Sequence, residues 1–163
     1  MYVKFSNGWR LIKWMAIEKC SVLHVGHTNP CRVYDIDGVE FPSIDVVRDL
    51  GVLVSRDMKF AAHINNIAQK AFVVSNLFFR AFKCRRRDFV LQFFKSYIRP
   101  LIESCTTVWS PHLMKDVRIL ENVQRKFTKR VPGLSHMSYS ERRNELGLDT
   151  LELRRLHNDL LFC

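Results

Sequence analysis

Four side chains near the start of the chain have the right chemistry to bind a metal ion. They are two thiols and two imidazoles: Cys20, His24, His27 and Cys31. Thiolates and imidazoles form structural zinc sites, but this spacing differs from that of zinc knuckles. A strand starting at Cys20 would place only Cys20 and His24 on one face. We therefore favour a buried cysteine with histidines in a turn, and predict no metal site here.

Two carboxylates follow in the segment Tyr34-Asp35-Ile36-Asp37. Carboxylates on neighbouring elements can hold Mg²⁺ in polymerases. The polymerase metal box has adjacent aspartates, however, whereas here one residue separates them and Asp37-Gly38 is itself a hairpin-turn signal. The sequence also has no phosphate-binding loop, nucleophile elbow or Ser/His/Asp set. We therefore predict neither a catalytic centre nor a cofactor in this chain.

The chemistry that the sequence favours is contact with phosphate groups. The chain carries 26 Lys+Arg against 16 Asp+Glu, a net charge of +10. In one predicted helix, apolar residues recur at three- and four-residue steps and form a stripe: Val117, Leu120, Val123, Phe127 and Val131. The candidate nucleic-acid-binding cations are Arg118, Arg125, Lys126, Lys129 and Arg130 on that helix, with Arg85, Arg86 and Arg87 as a second basic patch. Such a face can be merely solvated, or it can bind a polyanion.

The order of elements predicts an α+β fold: a small strand-containing part, residues 1–57, followed by a mainly helical bundle, residues 58–163. We expect a short helix at 6–17, then strands at 20–25, 32–36 and 39–41 and a hairpin around Leu50-Gly51. So few strands with open edges are only marginally stable alone.

The helical part is predicted from apolar periodicity and from helix-stop residues. A long helix runs through residues 64–82, and a second carries Val90, Phe93, Phe94, Tyr97, Ile98 and Leu101. Pro100 should kink this second helix or end a segment there, and Pro132-Gly133 should stop the basic one. Ser138 and Glu141 predict a capping box. A last helix begins at Asp149 or Thr150 and carries Leu151, Arg154, Arg155, Leu156 and Leu160.

Cysteine usage predicts the compartment. The five cysteines are scattered without C-x-x-C pairs, and no secretory leader is evident. We therefore expect an intracellular protein, nuclear or cytoplasmic, that is not secreted. No apolar run is long enough to span a bilayer, and we favour a non-membrane protein over one with an interfacial N-terminal helix.

Eight short strings, in order and spacing, carry a family resemblance that covers nearly the whole chain. They are E-K-C at 18–20, R-D-L-G-V at 48–52, H-I-N-N-I-A-Q-K-A at 63–71, I-R-P-L-I-E at 98–103, W-S-P at 109–111, E-N-V-Q-R-K-F-T-K at 121–129, S-Y-S-E-R-R at 138–143 and L-D-T-L-E-L-R-R at 148–155. Together they resemble the region downstream of the catalytic core in reverse transcriptases of non-LTR (LINE-type) retrotransposons.

The resemblance implies a truncated RNA-directed DNA polymerase. The family's Y-x-D-D carboxylates, which bind Mg²⁺ in the intact enzyme, would lie before this segment. Lys19 matches the lysine of motif D, and Asp49, Leu50, Gly51 and Val52 match the primer-grip hairpin, motif E. Residues from Lys59 onward resemble the thumb that grips the template-primer duplex, an RNA–DNA hybrid. We expect such a chain to be inactive alone and to bind nucleic acid, in partnership with the missing palm and fingers.

Two other interpretations remain open. The chain could be a helical protein-interaction module, adapted from a retroelement, whose cationic face meets an acidic protein. It could also be a degenerate fragment that does not fold alone, because its strands lack a palm sheet to pair with.

Overall fold

The computed structural model describes residues 3–4, 17–36 and 38–161 of the chain. The fold is α+β, as predicted from the sequence. The chain divides into two compact units, Met1–Phe60 and Ala61–Cys163, each described separately below. The helix predicted at 6–17 lies almost wholly outside the described residues, and so does Asp37 of the predicted turn.

All the strands in the described part of the first unit are short. They are β1 Val3–Lys4, β2 Val22–Leu23, β3 Tyr34–Ile36, β4 Val39–Glu40, β5 Ser43–Ile44, β6 Val46–Asp49 and β7 Val52–Ser55. β3 pairs with β1 in parallel and with β4 antiparallel, β2 pairs with β5 in parallel, and β6 with β7 antiparallel. Each sheet thus has two or three strands and keeps open edges, as the sequence suggested.

The hairpin between β6 and β7 forms where it was predicted. Asp49 pairs with Val52, so the loop consists of Leu50 and Gly51. Their φ angles are +45° and +91°, and positive φ at both positions is typical of the type I′ turn, which matches the strand twist. Leu50 is 93% exposed at the tip. A leucine in the left-handed region is strained by about 1 kcal/mol or more.

The second unit is a bundle of helices around one apolar core. They are α1 Ala61–Ala81, α2 Arg87–Phe93, α3 Arg99–Glu103, α4 Thr106–Trp109, α5 Met114–Lys129, α6 Tyr139–Leu146 and α7 Leu151–Leu161. α5 buries the predicted stripe, whose five members are all at most 8% exposed. Among the described helices, none combines the length and apolar character that crossing a membrane requires.

Pro100 changes the helix geometry where a kink was predicted. Between α2 and α3 the backbone widens into a π-helical turn, Phe94–Ile98, and the Arg99 N–H donates to the Phe94 carbonyl five residues back. Proline has no N–H and its ring crowds the preceding turn, so the ladder must adjust there. The buried positions consequently recur every four residues: Val90, Phe94, Ile98 and Ile102. Tyr97, expected on the apolar side, is 62% exposed.

The last two helices begin at the predicted caps. The Ser138 hydroxyl accepts from the Glu141 N–H, and the Glu141 carboxylate accepts from the Ser138 N–H, so the capping box is confirmed. Of the two starts predicted for α7, the structure uses Thr150, whose hydroxyl accepts from the Leu153 N–H. The expected apolar face of α7 is only partly correct, because Leu156 and Leu160 are exposed.

Candidate nucleic-acid interface

A groove of about 410 Å³ separates α1 from α5 and collects three of the predicted cations. Its lining residues are Phe72, Ser75, Asn76, Lys126, Phe127, Lys129 and Arg130. The floor is set by Phe127, which is 2% exposed. Its ring lies 5.1 Å from that of Phe79 and 5.0 Å from that of Phe94. This packing holds α5 against α1, so the cations that flank Phe127 in sequence border the groove.

Aromatic rings and one amide orient the groove cations. The Lys126 ammonium lies 4.9 Å from the centroid of Phe72. The Arg130 guanidinium lies 3.9 Å from the centroid of Phe79, and its Nη1 donates to Asn76 Oδ1 at 2.7 Å. Cation–π contacts of this kind stabilise a charge without neutralising it. Both side chains are therefore pre-positioned and still carry a full positive charge toward the groove.

Arg85 adds a second guanidinium to the same ring. Its Cζ lies 4.9 Å from the Phe79 centroid, and its Nη2 donates to the Phe79 carbonyl at 2.5 Å. Burial, and then the charge of Arg85, lower the pKa of Arg130 from its usual value. Both guanidiniums contact the Phe79 ring, and an anion bound beside it would offset their mutual repulsion. Arg85 of the second basic patch and Arg130 at the end of α5 thus both contact the Phe79 ring.

These cations have no acidic partner in the part of the chain that the structure describes. Across the residues that the structure describes, no carboxylate forms an ion pair with Lys126, Lys129, Arg130 or Arg85. Uncompensated cations on a groove wall attract phosphate groups and release condensed counterions on binding.

Two of the other candidate cations have acidic partners instead. Arg87 pairs with Glu145 at 3.2 Å and its Nε donates to the Pro132 carbonyl at 3.1 Å. Arg86 faces Asp88 at 3.8 Å, with both side chains largely exposed. The basic triplet that begins with Arg85 is therefore divided, and only its first member shares the Phe79 ring with the groove residue Arg130.

The remaining two candidates on α5 also lie outside the groove lining. Arg125 stacks over the Tyr139 ring at 4.8 Å. Arg118 is exposed nearer the start of α5, about 12 Å along the helix from Lys126 at 1.5 Å per residue. The structure thus brings together Arg85, Lys126, Lys129 and Arg130. Sequence reasoning missed Asn76 and the rings that orient the cations, since no local spacing signals them.

A buried polar network joins three of the sequence strings that carry the family resemblance. Gln124, 1% exposed, donates from Nε2 to the Tyr139 hydroxyl at 3.0 Å and to the Asp149 carbonyl at 2.8 Å. The Tyr139 hydroxyl donates to Glu121 Oε1, and Glu121 Oε2 accepts from the Leu151 N–H at 3.0 Å. Burial first, and then the Glu121 carboxylate, raise the pKa of Tyr139. This network fixes α6 and the start of α7 on α5.

Further polar contacts tie together residues from the same strings. Arg142, 4% exposed, donates from Nε to the Thr128 hydroxyl at 3.3 Å and from Nη1 to the Met137 carbonyl. Arg154 binds both carboxylate oxygens of Glu103, at 2.5 and 3.0 Å. Polar residues of the strings therefore hold the helices together. Lys126 and Lys129, which belong to the E-N-V-Q-R-K-F-T-K string, line the groove instead.

The fully buried Trp109 anchors the W-S-P string. Its exposed fraction is 0%, and its Nε1 donates to the Ser104 carbonyl at 2.8 Å. Cys105 between them adopts a positive φ of 56°, which turns the chain sharply before α4. The I-R-P-L-I-E and W-S-P segments are thus joined through a tight turn.

Within the described part of the first unit, the predicted site residues lie in separate segments, and of the primer-grip-like residues Val52 is buried, at 6% exposure. Lys19 ends a 3-10 turn, Ile17–Lys19, and is exposed. The primer-grip-like residues form the β6–β7 turn described above. Of the candidate zinc ligands, His24 is buried and stacks with Tyr34 at 6.2 Å, whereas Cys31 is exposed and accepts from Arg56 Nη2 at 3.3 Å. The buried residue is thus a histidine, where we expected a cysteine.

Metal-ligating side chains do not cluster in the described ranges, where no group of three or more His, Cys, Asp or Glu could hold an ion. Among the described cysteines, Cys31, Cys84 and Cys105 are free thiols.

Comparisons with known proteins give one distant relative. A Caenorhabditis elegans protein described as uncharacterized is 22% identical over 113 residues, which cover 68% of this chain and 57% of that protein. No protein-family model and no solved structure matches the chain. This chain therefore spans little more than half the length of the relative, and the similarity assigns no family.

Proposed function

We propose that this chain is the post-catalytic part of a LINE-type reverse transcriptase, which grips the template-primer duplex and does not catalyse synthesis alone. The observation that carries the proposal is the α1–α5 groove, bordered by Lys126, Lys129 and Arg130 with no acidic partner among the described residues. The intact enzyme would work inside the cell, with Mg²⁺ bound by carboxylates outside this segment.

The groove chemistry suits a nucleic-acid backbone better than base edges. Its polar groups are ammonium and guanidinium donors, the Asn76 amide and the Ser75 hydroxyl. Asn76 is itself bonded to Arg130, and the buried Ser75 hydroxyl donates to the Ala71 carbonyl. Such donors contact phosphates and fix the register of a duplex, but carry little sequence information. An A-form-like hybrid is recognised mainly by shape and by backbone contacts.

The polar network supports the resemblance from a different direction. Residues of the E-N-V-Q-R-K-F-T-K, S-Y-S-E-R-R and L-D-T-L-E-L-R-R strings contact one another through Gln124, Tyr139 and Arg142. Strings that are distant in sequence but adjoin in space are what a shared fold would produce. Chance similarity of separate strings would not require these contacts.

Fluorescence anisotropy against an RNA–DNA hybrid over a salt series tests the proposal. We expect binding with a steep negative dependence on salt and little difference between two unrelated hybrid sequences. Absence of hybrid binding by a chain that melts cooperatively would refute the proposal and favour the protein-interaction module. A chain without a cooperative thermal transition would favour the degenerate fragment.

A specific observation favours the protein-interaction module as the second candidate. On α7, three leucines at helical spacing are exposed: Leu153, Leu156 and Leu160, at 41%, 55% and 72%. A partly apolar face of this kind is typical of a surface that packs on another protein. The same leucine face is also suited to packing against the missing palm and fingers, which the first proposal requires.

A further inference from the structure

A stack of aromatic rings runs from the core of the helical unit to its surface. Phe78 is 2% exposed, and its ring lies 3.8 Å from that of Phe93 with an interplanar angle of 16°. Phe93 in turn lies 4.9 Å from Tyr97, at 20°. Each ring in this series is therefore nearly parallel to the next. Tyr97 ends the series and is 62% exposed.

The π-helical turn creates this arrangement. Phe93 and Tyr97 are four residues apart and span the segment that widens ahead of Pro100. The same widening buries Phe94 and Ile98 on the opposite flank, so it anchors the segment while leaving Tyr97 outside the core. Two further rings, Phe82 and Phe89, are 46% and 39% exposed and contact Phe78 at 5.2 and 5.6 Å.

The surroundings of the stack are strongly cationic. Residues 80–99 contain seven basic side chains and one acidic. Three of the basic ones pair with carboxylates: Arg86 with Asp88, Arg87 with Glu145 and Arg99 with Glu103. The other four have no acidic partner among the described residues: Arg80, Lys83, Arg85 and Lys95. Exposed aromatic rings interleaved with cations are typical of surfaces that bind single-stranded nucleic acid, where bases stack on rings and phosphates meet the charges. An apolar protein partner would not need this charge excess.

We infer that Tyr97 is a stacking platform for an unpaired nucleobase of a single-stranded nucleic acid. The base extends the Phe78-Phe93-Tyr97 series on its solvent side, and the four cations without an acidic partner among the described residues neutralise the adjoining phosphates. The residues that form this platform differ from those that line the α1–α5 groove. The platform and the groove are linked through the core, because Phe78 packs on Phe79 at 5.2 Å and Phe79 contacts Arg85 and Arg130.

Substitution of Tyr97 separates stacking from charge. We expect Tyr97→Ala to weaken binding of the full chain to a single-stranded oligonucleotide by about fivefold or more, the lower range for one stacked base. Tyr97→Phe should retain the affinity, since the ring remains. The slope of affinity against salt should be the same in all three proteins, because no cation changes. Val108→Ala, at a comparably exposed apolar residue of α4, serves as the control and should have no effect.

The readouts are anisotropy and the fluorescence of 2-aminopurine in the oligonucleotide, which is quenched when the base stacks. Loss of quenching with Tyr97→Ala but not Tyr97→Phe is the expected result. The inference is overturned if Tyr97→Ala binds and quenches like the wild type, or if the wild type binds no single strand. It is likewise overturned if Tyr97→Ala changes only self-association, which would indicate a protein on this face. Blunt hybrid binding reports on the groove independently, so failure of the platform leaves the proposed function standing.

Discussion

Replacing Gln124 by alanine should destabilise the helical unit more than its size suggests. The side chain is 1% exposed and makes two hydrogen bonds, to the Tyr139 hydroxyl and the Asp149 carbonyl. Each bond is worth about 1 kcal/mol, and its loss leaves the Asp149 carbonyl poorly solvated. Removal of the buried methylene adds about 1 kcal/mol. We therefore expect the free energy of unfolding to fall by about 3 kcal/mol.

Tyr139 provides a second perturbation of the same network. Tyr139→Phe removes the hydroxyl that donates to Glu121 and accepts from Gln124. Because one partner is a carboxylate, we expect a loss of about 2 kcal/mol. The bond between Gln124 and Tyr139 is lost in either single variant. The double variant should therefore cost about 1 kcal/mol less than the sum of the two.

Urea denaturation followed by the helical circular dichroism signal measures these changes, with the midpoint falling and the slope unchanged. Asn122→Ala, at an exposed position on the same helix, is the control and should change stability by less than about 0.5 kcal/mol. If Gln124→Ala costs under about 1 kcal/mol, or if the two substitutions are fully additive, the proposed network does not hold α6 and α7 on α5.

Three further predictions concern contacts that connect the helices. Gly133→Ala should lower the melting temperature by about 5 °C, because residue 133 has φ +78° and a Cβ would lie 2.7 Å from Arg87 Nη2. Arg154→Leu should reduce the urea unfolding free energy by about 2 kcal/mol, since it leaves the largely buried Glu103 without its bidentate partner. Hydrogen bonds within the capping box lower the pKa of Glu141 from 4.5, so its stabilisation is complete above pH 4.5 and is lost as the pH falls through the lower folded-state value. The stability difference between wild type and Glu141→Ala should therefore shrink on acidification, as measured by melts across a pH series.

Local patterns predicted much of the helical unit. The stripe from Val117 to Val131 and the Ser138 capping box depend on side chains within a few residues of one another, and both formed as expected. Helical periodicity also predicted the long α1. These features could be predicted because helix ends and faces are encoded by short-range spacing.

Features that depend on distant residues could not be predicted. Arg130 is oriented by Asn76 and Arg87 is neutralised by Glu145, contacts that span 54 and 58 residues. Sequence spacing grouped the eight candidate cations into two patches, whereas tertiary packing selects which of them line the groove. The effect of Pro100 was predicted as a kink, but not the π-helical turn that moves Tyr97 out of the core.

The most direct test of the account measures the salt dependence of hybrid binding after removal of the groove charges. The test variant carries Lys126→Gln, Lys129→Gln and Arg130→Gln, and the control carries Arg32→Gln, Lys59→Gln and Lys70→Gln at exposed cations with equal loss of charge. Each phosphate contact contributes about 0.9 to the slope of log affinity against log salt. We predict that the groove variant loses about 2.7 units of slope and most of its affinity, while the control retains both. Equal slopes and affinities in the two variants would contradict the claim that this groove grips a nucleic-acid backbone.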